Sequence, residues 1–167
     1  MPAPQTAPPV VATAPAPEPT VPVANSDQDF VQPQTQQPDV LSSDLAEVDR
    51  VARERGWIRD AFFGFDASTL DADAQEALRQ SASWLREHRE FRIRIEGHCD
   101  ERGTEQYNLA LGDRRAETAT AYLATLGVDR SRIDTVSYGE EHPFASGSSE
   151  EAWSQNRRAH LVVIGRR

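Results

Sequence analysis

"FRIRIEGHCDERGTEQYNLALGDRRAETATAYLATLG", residues 91–127, changes its hydrophobic period halfway along, and that change decides the fold. From Phe91 the pattern alternates: Phe91, Ile93 and Ile95 face one way, while Arg92, Arg94, Glu96 and His98 face the other. A period of two is the mark of a strand with one buried face. From about Thr104 to Leu126 the apolar residues return at helical spacing, and Gly127 supplies a C-cap. A strand running straight into a long helix predicts an α/β unit.

Working outward, "DAFFGFDAST" (60–69) reads as a first strand, with Phe62, Phe63 and Phe65 around Gly64. Between Asp71 and His88, Ala74, Ala77, Leu78, Ala82 and Leu85 recur at helical spacing. "RIDTVSYG" (132–139) and "RAHLVVIG" (158–165) read as a third and a fourth strand. The order β-α-β-α-β-β predicts a small α/β sandwich, a mixed four-stranded sheet with helices packed on one face. Ahead of it, "SSDLAEVDRVARERGW" predicts a short helical lead-in within residues 40–57, so the domain proper spans 58–167.

Residues 1–39 differ in kind. They hold ten of the eleven prolines and no basic residue. Such a segment buries too little apolar surface to offset chain entropy and is expected to be a disordered, Pro/Ala-rich linker. Fully extended it reaches roughly 120 Å, and as a coil roughly 35 Å. Met1 is followed by "PAPQTAPP", with no basic start and no apolar signal core.

The formal net charge of −9 argues against nucleic acid or an anionic lipid surface as partner. All 18 basic residues are Arg. Cys99 is the only cysteine, which excludes an internal disulfide and makes a thiolate zinc cage implausible.

Between strand and helix, His98, Cys99, Asp100, Glu101 and Arg102 stand in five consecutive positions. Continued alternation places His98 and Asp100 on one side and Cys99 on the other, beside Ile93 and Ile95, as a small buried hydrophobe. His98 and Asp100 lack a third metal ligand at recognisable spacing, since His88, His142 and His160 are scattered, so no metal and no cofactor are expected. A Cys–His nucleophilic dyad needs a shared hydrogen bond that adjacent strand residues do not make. The long helix carries an anomaly: Arg115 falls on the stripe of Leu111, Ala119, Tyr122 and Leu126, on the face that also holds Asn108. A buried arginine calls for an anion, and Asp100 is the neighbour in chain order. A structural salt bridge and a two-pronged ligand cradle both satisfy that spacing.

"GHCDERGTEQYNLALGDRRAETATAYLATLGV", then "VSYGEEHP", then "WSQNRRAHLVV" resemble, in matching order over roughly residues 58–165, the OmpA-like peptidoglycan-binding domain family, and within it the lipoprotein branch. The resemblance implies non-catalytic binding of the peptidoglycan stem peptide through its diaminopimelate, whose end carries an ammonium and a carboxylate on one carbon. Carried over by motif, the aspartate of "GHxD" is Asp100 and the helix arginine of "RRA" is Arg115. Asn108 and Leu111 share their side, and Thr104 opens the helix. Phe65 and Asp66, from "FD", line the site, and Asn156 and Arg157, from "NRR", complete its rim.

The branch further implies a periplasmic location, attachment to the outer membrane through a lipid anchor, and TolB and other Tol proteins as partners in envelope integrity and cell division. Its members carry a lipid-bearing N-terminal cysteine, whereas the one cysteine here is Cys99, where alanine or threonine is usual. A wall hydrolase needs zinc ligands or an activated nucleophile, and neither is visible. The wall-binding part of a motor stator or outer-membrane barrel protein would follow a membrane helix or about eight strands.

Overall fold

The computed structural model describes residues 43–167, so the linker expected over 1–39 lies outside the described residues. The lead-in is helix α1, Ser43–Glu54, with Asp44 in its first turn and Arg53 in its last, as the helix dipole favours. Ala52 of α1 and Ile58 just beyond it enter the core.

Strand β1, Ala61–Phe62, is much shorter than its run of phenylalanines predicts. It pairs antiparallel with the last strand at only two positions, and the Phe63 N–H then donates to the Arg157 carbonyl (2.9 Å). Beyond that the chain turns, with the Ala67 N–H on the Gly64 carbonyl and Asp66 in the left-handed region at φ 54°. Helix α2, Ala72–Glu87, is capped by the Asp71 carboxylate, which accepts from the Ala74 N–H at 2.8 Å. It buries Ala74, Ala77, Leu78, Ala82 and Leu85, the stripe the spacing predicts.

Strand β2, Phe91–His98, alternates in burial as its sequence does. Helix α3, Glu105–Thr125, is capped by Thr104 and followed by Gly127 at φ +92°, a conformation that favours glycine. It supplies the crossover that lets β3, Ile133–Gly139, run parallel to β2. A seven-residue helix, α4, Glu150–Asn156, interrupts the expected β3–β4 succession. Its Ser149 cap and acidic first turn are readable, but two turns are too short for an apolar period to show. Strand β4, Arg158–Arg166, closes the sheet antiparallel to β2, in the order β1-β4-β2-β3.

The sheet is mixed and four-stranded as predicted, and one core joins α1, α2 and α3 to Phe91, Ile93 and Ile95 of β2 and Ala159, Leu161 and Val163 of β4. Helix α3 lies unusually close to β2 where two glycines meet: a Cβ on Gly97 would stand 1.8 Å from the Gly112 carbonyl oxygen. That contact fixes the height of α3 over the end of β2, where the chemistry-bearing residues gather.

Candidate functional site

Strand β2 loses its regular pairing as it ends. Its register with β3 shifts between Gly97 and His98, Gly97 facing Ser137 and His98 facing Gly139. The Cys99 N–H still bonds the Gly139 carbonyl (2.8 Å), but the residues that follow are no longer bound to alternate. This corrects the sequence expectation. His98 packs edge-on against Phe144 (ring centroids 4.9 Å apart) and beside Tyr138, whereas Cys99 and Asp100 both line one cavity of about 210 Å³.

The cavity opens between the turn after β1 and the first turns of α3. Phe65 and Asp66 border it from the turn; Tyr107, Asn108, Leu111 and Arg115 border it from the helix. Six of the nine proposed site residues are therefore brought together: Phe65, Asp66, Asp100, Asn108, Leu111 and Arg115. Thr104, Asn156 and Arg157 are not among its lining. The Thr104 Oγ1 accepts the Tyr107 N–H as the α3 cap. Asn156 fastens the 144–145 backbone, accepting from the Phe144 and Ala145 N–H groups and donating to the Ala145 carbonyl. Arg157 stands behind Asp100, and Arg158 turns away to Asp60 (2.8 Å) and the Phe144 ring.

Asp100 is buried and anchored on every side. Its Oδ1 accepts the Arg102 backbone N–H (3.0 Å) and Nε (3.3 Å); its Oδ2 accepts Arg102 Nη2 (2.8 Å) and Arg157 Nη1 (3.4 Å). Burial works against its ionisation, but the Arg102 side chain and backbone, with Arg157, outweigh it and hold the carboxyl below its ordinary 3.8. Asn108 fixes the loop, donating from Nδ2 to the carbonyls of Asp100 (3.3 Å) and Arg102 (3.0 Å).

Arg115 does not pair with Asp100, contrary to the expectation that a buried arginine there takes an anion. Its Nε donates to the Ala67 carbonyl (2.8 Å), Nη1 to that of His98 (2.8 Å) and Nη2 to that of Gly64 (3.2 Å). Three carbonyls satisfy the fork as an anion would, because a guanidinium carries five donors in a fixed plane. Two of the five N–H groups have no partner among the described residues, on a side chain that lines the cavity.

Sequence reasoning missed Arg102 and Tyr107. The Arg102 guanidinium lies between the rings of Phe65 (3.9 Å) and Trp153 (4.0 Å), an arrangement that joins three distant segments and leaves no local pattern. Tyr107 was findable: 107, 111 and 115 are four apart, one face of a helix. Its hydroxyl donates to the Asp66 carboxylate. Cys99 lines the cavity while its thiol donates to the Asn108 carbonyl (3.2 Å), and burial pushes its pKa up to about 11. Among the described residues no group of three or more His, Cys, Asp or Glu is placed to hold a metal ion, and no helix is long and apolar enough to cross a membrane.

Comparison with known proteins bears on the fold and the family. The model of the OmpA family matches residues 62–157. The peptidoglycan-associated lipoprotein of Brucella melitensis is 50% identical over 104 residues, 62% of this chain and 62% of the relative. That of Pseudomonas aeruginosa is 45% identical over 100 residues, 60% of this chain and 59% of its own. The chain thus spans about three fifths of the length of the relatives it matches. The crystal structure of the peptidoglycan-associated lipoprotein from Burkholderia pseudomallei superposes with a TM-score of 0.61 at 45% identity, over 63% of this chain and 89% of that one. The C-terminal domain of Helicobacter pylori MotB superposes with a TM-score of 0.59 at 20% identity, over 64% of this chain and 84% of that one, a likeness of fold alone.

Proposed function

We propose, since this chain belongs to the OmpA family, that it is a non-catalytic peptidoglycan-binding domain that holds the diaminopimelate of the stem peptide and tethers the outer membrane to the cell wall. The observation that carries the reading is the presence of opposite, mutually unpaired charges in one small cavity: the Asp100 carboxylate, and an Arg115 guanidinium with two N–H groups to offer. The end of diaminopimelate presents the complement, an ammonium for Asp100 and a carboxylate for Arg115. Leu111 and the Phe65 ring supply apolar walls for the methylene chain. Thr104, Asn156 and Arg157 serve the site indirectly, by capping α3, fastening the loop before α4 and backing Asp100.

The likeness to named lipoproteins supports a place in the periplasm at the outer membrane. In this reading residues 1–39 serve as spacer, and Tol proteins, TolB among them, are the partners. Co-sedimentation with purified sacculi tests the reading. The full chain should pellet with diaminopimelate-type sacculi, stay in solution with lysine-type sacculi, and release no soluble muropeptide. Equal pelleting with both wall types, or release of muropeptides, would overturn it.

A further inference from the structure

An ionised carboxylate offers about four lone-pair positions, and Asp100 has four donors on it. A ligand ammonium therefore reaches Asp100 only by displacing one of them. Two are fixed in place. The Arg102 backbone N–H belongs to the tight turn that Asn108 holds, and Arg157 is itself held by the Phe63 carbonyl (2.9 Å) and Glu150 (2.6 Å). The Arg102 side chain is the movable donor: it is 31% exposed, and its bonds are to Asp100 with Glu150 at 3.9 Å.

Displacement need not carry it far. The rings of Phe65 and Trp153 form a slot around the guanidinium, and the Trp153 indole N–H is tied to the Glu101 carboxylate (3.2 Å). Lifted from Asp100, the guanidinium stays in that slot at the mouth of the cavity and needs a new anion. Glu150 is a poor one, because its side chain is 67% exposed and it already serves Arg157.

We infer that Arg102 is the selectivity residue of the site, a resident cation on Asp100 that an incoming ammonium must displace and that then pairs with the carboxylate of the same ligand. This rests on the diaminopimelate reading above. A ligand bringing an ammonium alone displaces the guanidinium and leaves it without a partner; a ligand with a carboxylate on the same carbon restores the pair. Rejection of a lysine-type stem peptide thus comes from Arg102 as well as from Arg115.

The test is calorimetric titration of the full chain, wild type, Arg102→Met and Arg102→Gln, with three probes: a diaminopimelate stem peptide, the same peptide with its terminal carboxylate amidated, and a lysine stem peptide. Both variants should bind the lysine and amidated peptides roughly tenfold more tightly than wild type does, without gaining for the diaminopimelate peptide. Selectivity then falls by that factor. Wild type unable to bind the diaminopimelate peptide defeats the site reading itself. Wild type that binds it, with selectivity unchanged in both variants, defeats the role of Arg102 alone. A readout independent of any variant is the Arg102 Nε–H resonance of wild type: it should shift when the diaminopimelate peptide is added, and a resonance that stays put while the peptide binds contradicts the displacement.

Discussion

Arg115 and Asp100 line the same cavity without pairing: the guanidinium holds the carbonyls of Gly64, Ala67 and His98, and the carboxylate is held by Arg102 and Arg157. The cationic prong is therefore also a structural post, tying the turn after β1 to the end of β2. The anionic prong carries a lighter duty, accepting a single backbone N–H, that of Arg102, beside the Arg102 and Arg157 side chains.

Arg115→Met should be costly to stability. It leaves three carbonyls without their donor, at about 1–3 kcal/mol for each that stays buried. Arg115→Lys should rescue little, since an ammonium lacks the planar fork that reaches three acceptors. Urea unfolding of both variants checks this, and a loss below ~1 kcal/mol for Met would contradict the structural role.

Acid sensitivity should centre on Asp60, a buried carboxyl between Arg53 (3.2 Å), Arg158 (2.8 Å) and His160 (2.7 Å). Burial opposes its ionisation, but His160, Arg53 and Arg158 together hold its pKa well below the ordinary 3.8. A depressed carboxyl stabilises the fold above its unfolded value, and that contribution is lost as pH falls below 3.8 towards the folded value. Asp60→Asn should cost about 1.5–3 kcal/mol at pH 7, because the part-buried Arg53 and Arg158 lose the anion they share. The variant should also show a flatter decline of stability through pH 4 to 2, measured by urea unfolding at each pH. Equal acid slopes in wild type and variant would count against this.

Cys99 should be inert at neutral pH. Its thiol is buried, donates to the Asn108 carbonyl, and is pushed up to about 11. Labelling of the native protein by a thiol reagent at pH 7 should be far slower than that of a free peptide, since the thiolate is the nucleophile. A rate near that of the peptide would show the cysteine to be open.

Gly97→Ala should damage binding without replacing any residue of the site. Its Cβ would fall within 1.8 Å of the Gly112 carbonyl oxygen, so α3 must lift from β2, carrying Asn108, Leu111 and Arg115 with it. Overpacking of this kind costs about 1–3 kcal/mol or more. Thermal unfolding and sacculus binding should both decline; an unchanged midpoint would mean the contact is softer than described.

Where the chain keeps one period for two or more turns, or for five or more strand residues, the sequence was readable. Helices α2 and α3 and strands β2 and β4 fall where their patterns place them, to within a residue or two. Strand β1 did not, because a run of phenylalanines reports neither pairing nor burial: Phe63 is buried, while Phe62 and Phe65 are exposed, Phe65 within the turn. Alternation puts Asp100 on the wrong side because it carries the strand period two residues past the end of β2. The partners of Arg115 were hidden for a different reason. Side-chain patterns identify candidate anions, but backbone carbonyls exist at every position and acquire meaning only when a turn aims them. Arg102 was invisible likewise, since Phe65 and Trp153 meet it only through the fold.

The most direct test of the ligand site is the Asp100→Ala variant titrated with a diaminopimelate stem peptide, with thermal unfolding recorded alongside. Asp100 can be removed without orphaning a backbone group other than the Arg102 N–H, so the variant should fold. The loss of a charge-assisted contact, at about 1.5–3 kcal/mol, should weaken binding roughly ten- to a hundredfold. A folded Asp100→Ala protein that binds the peptide as wild type does would contradict the cradle.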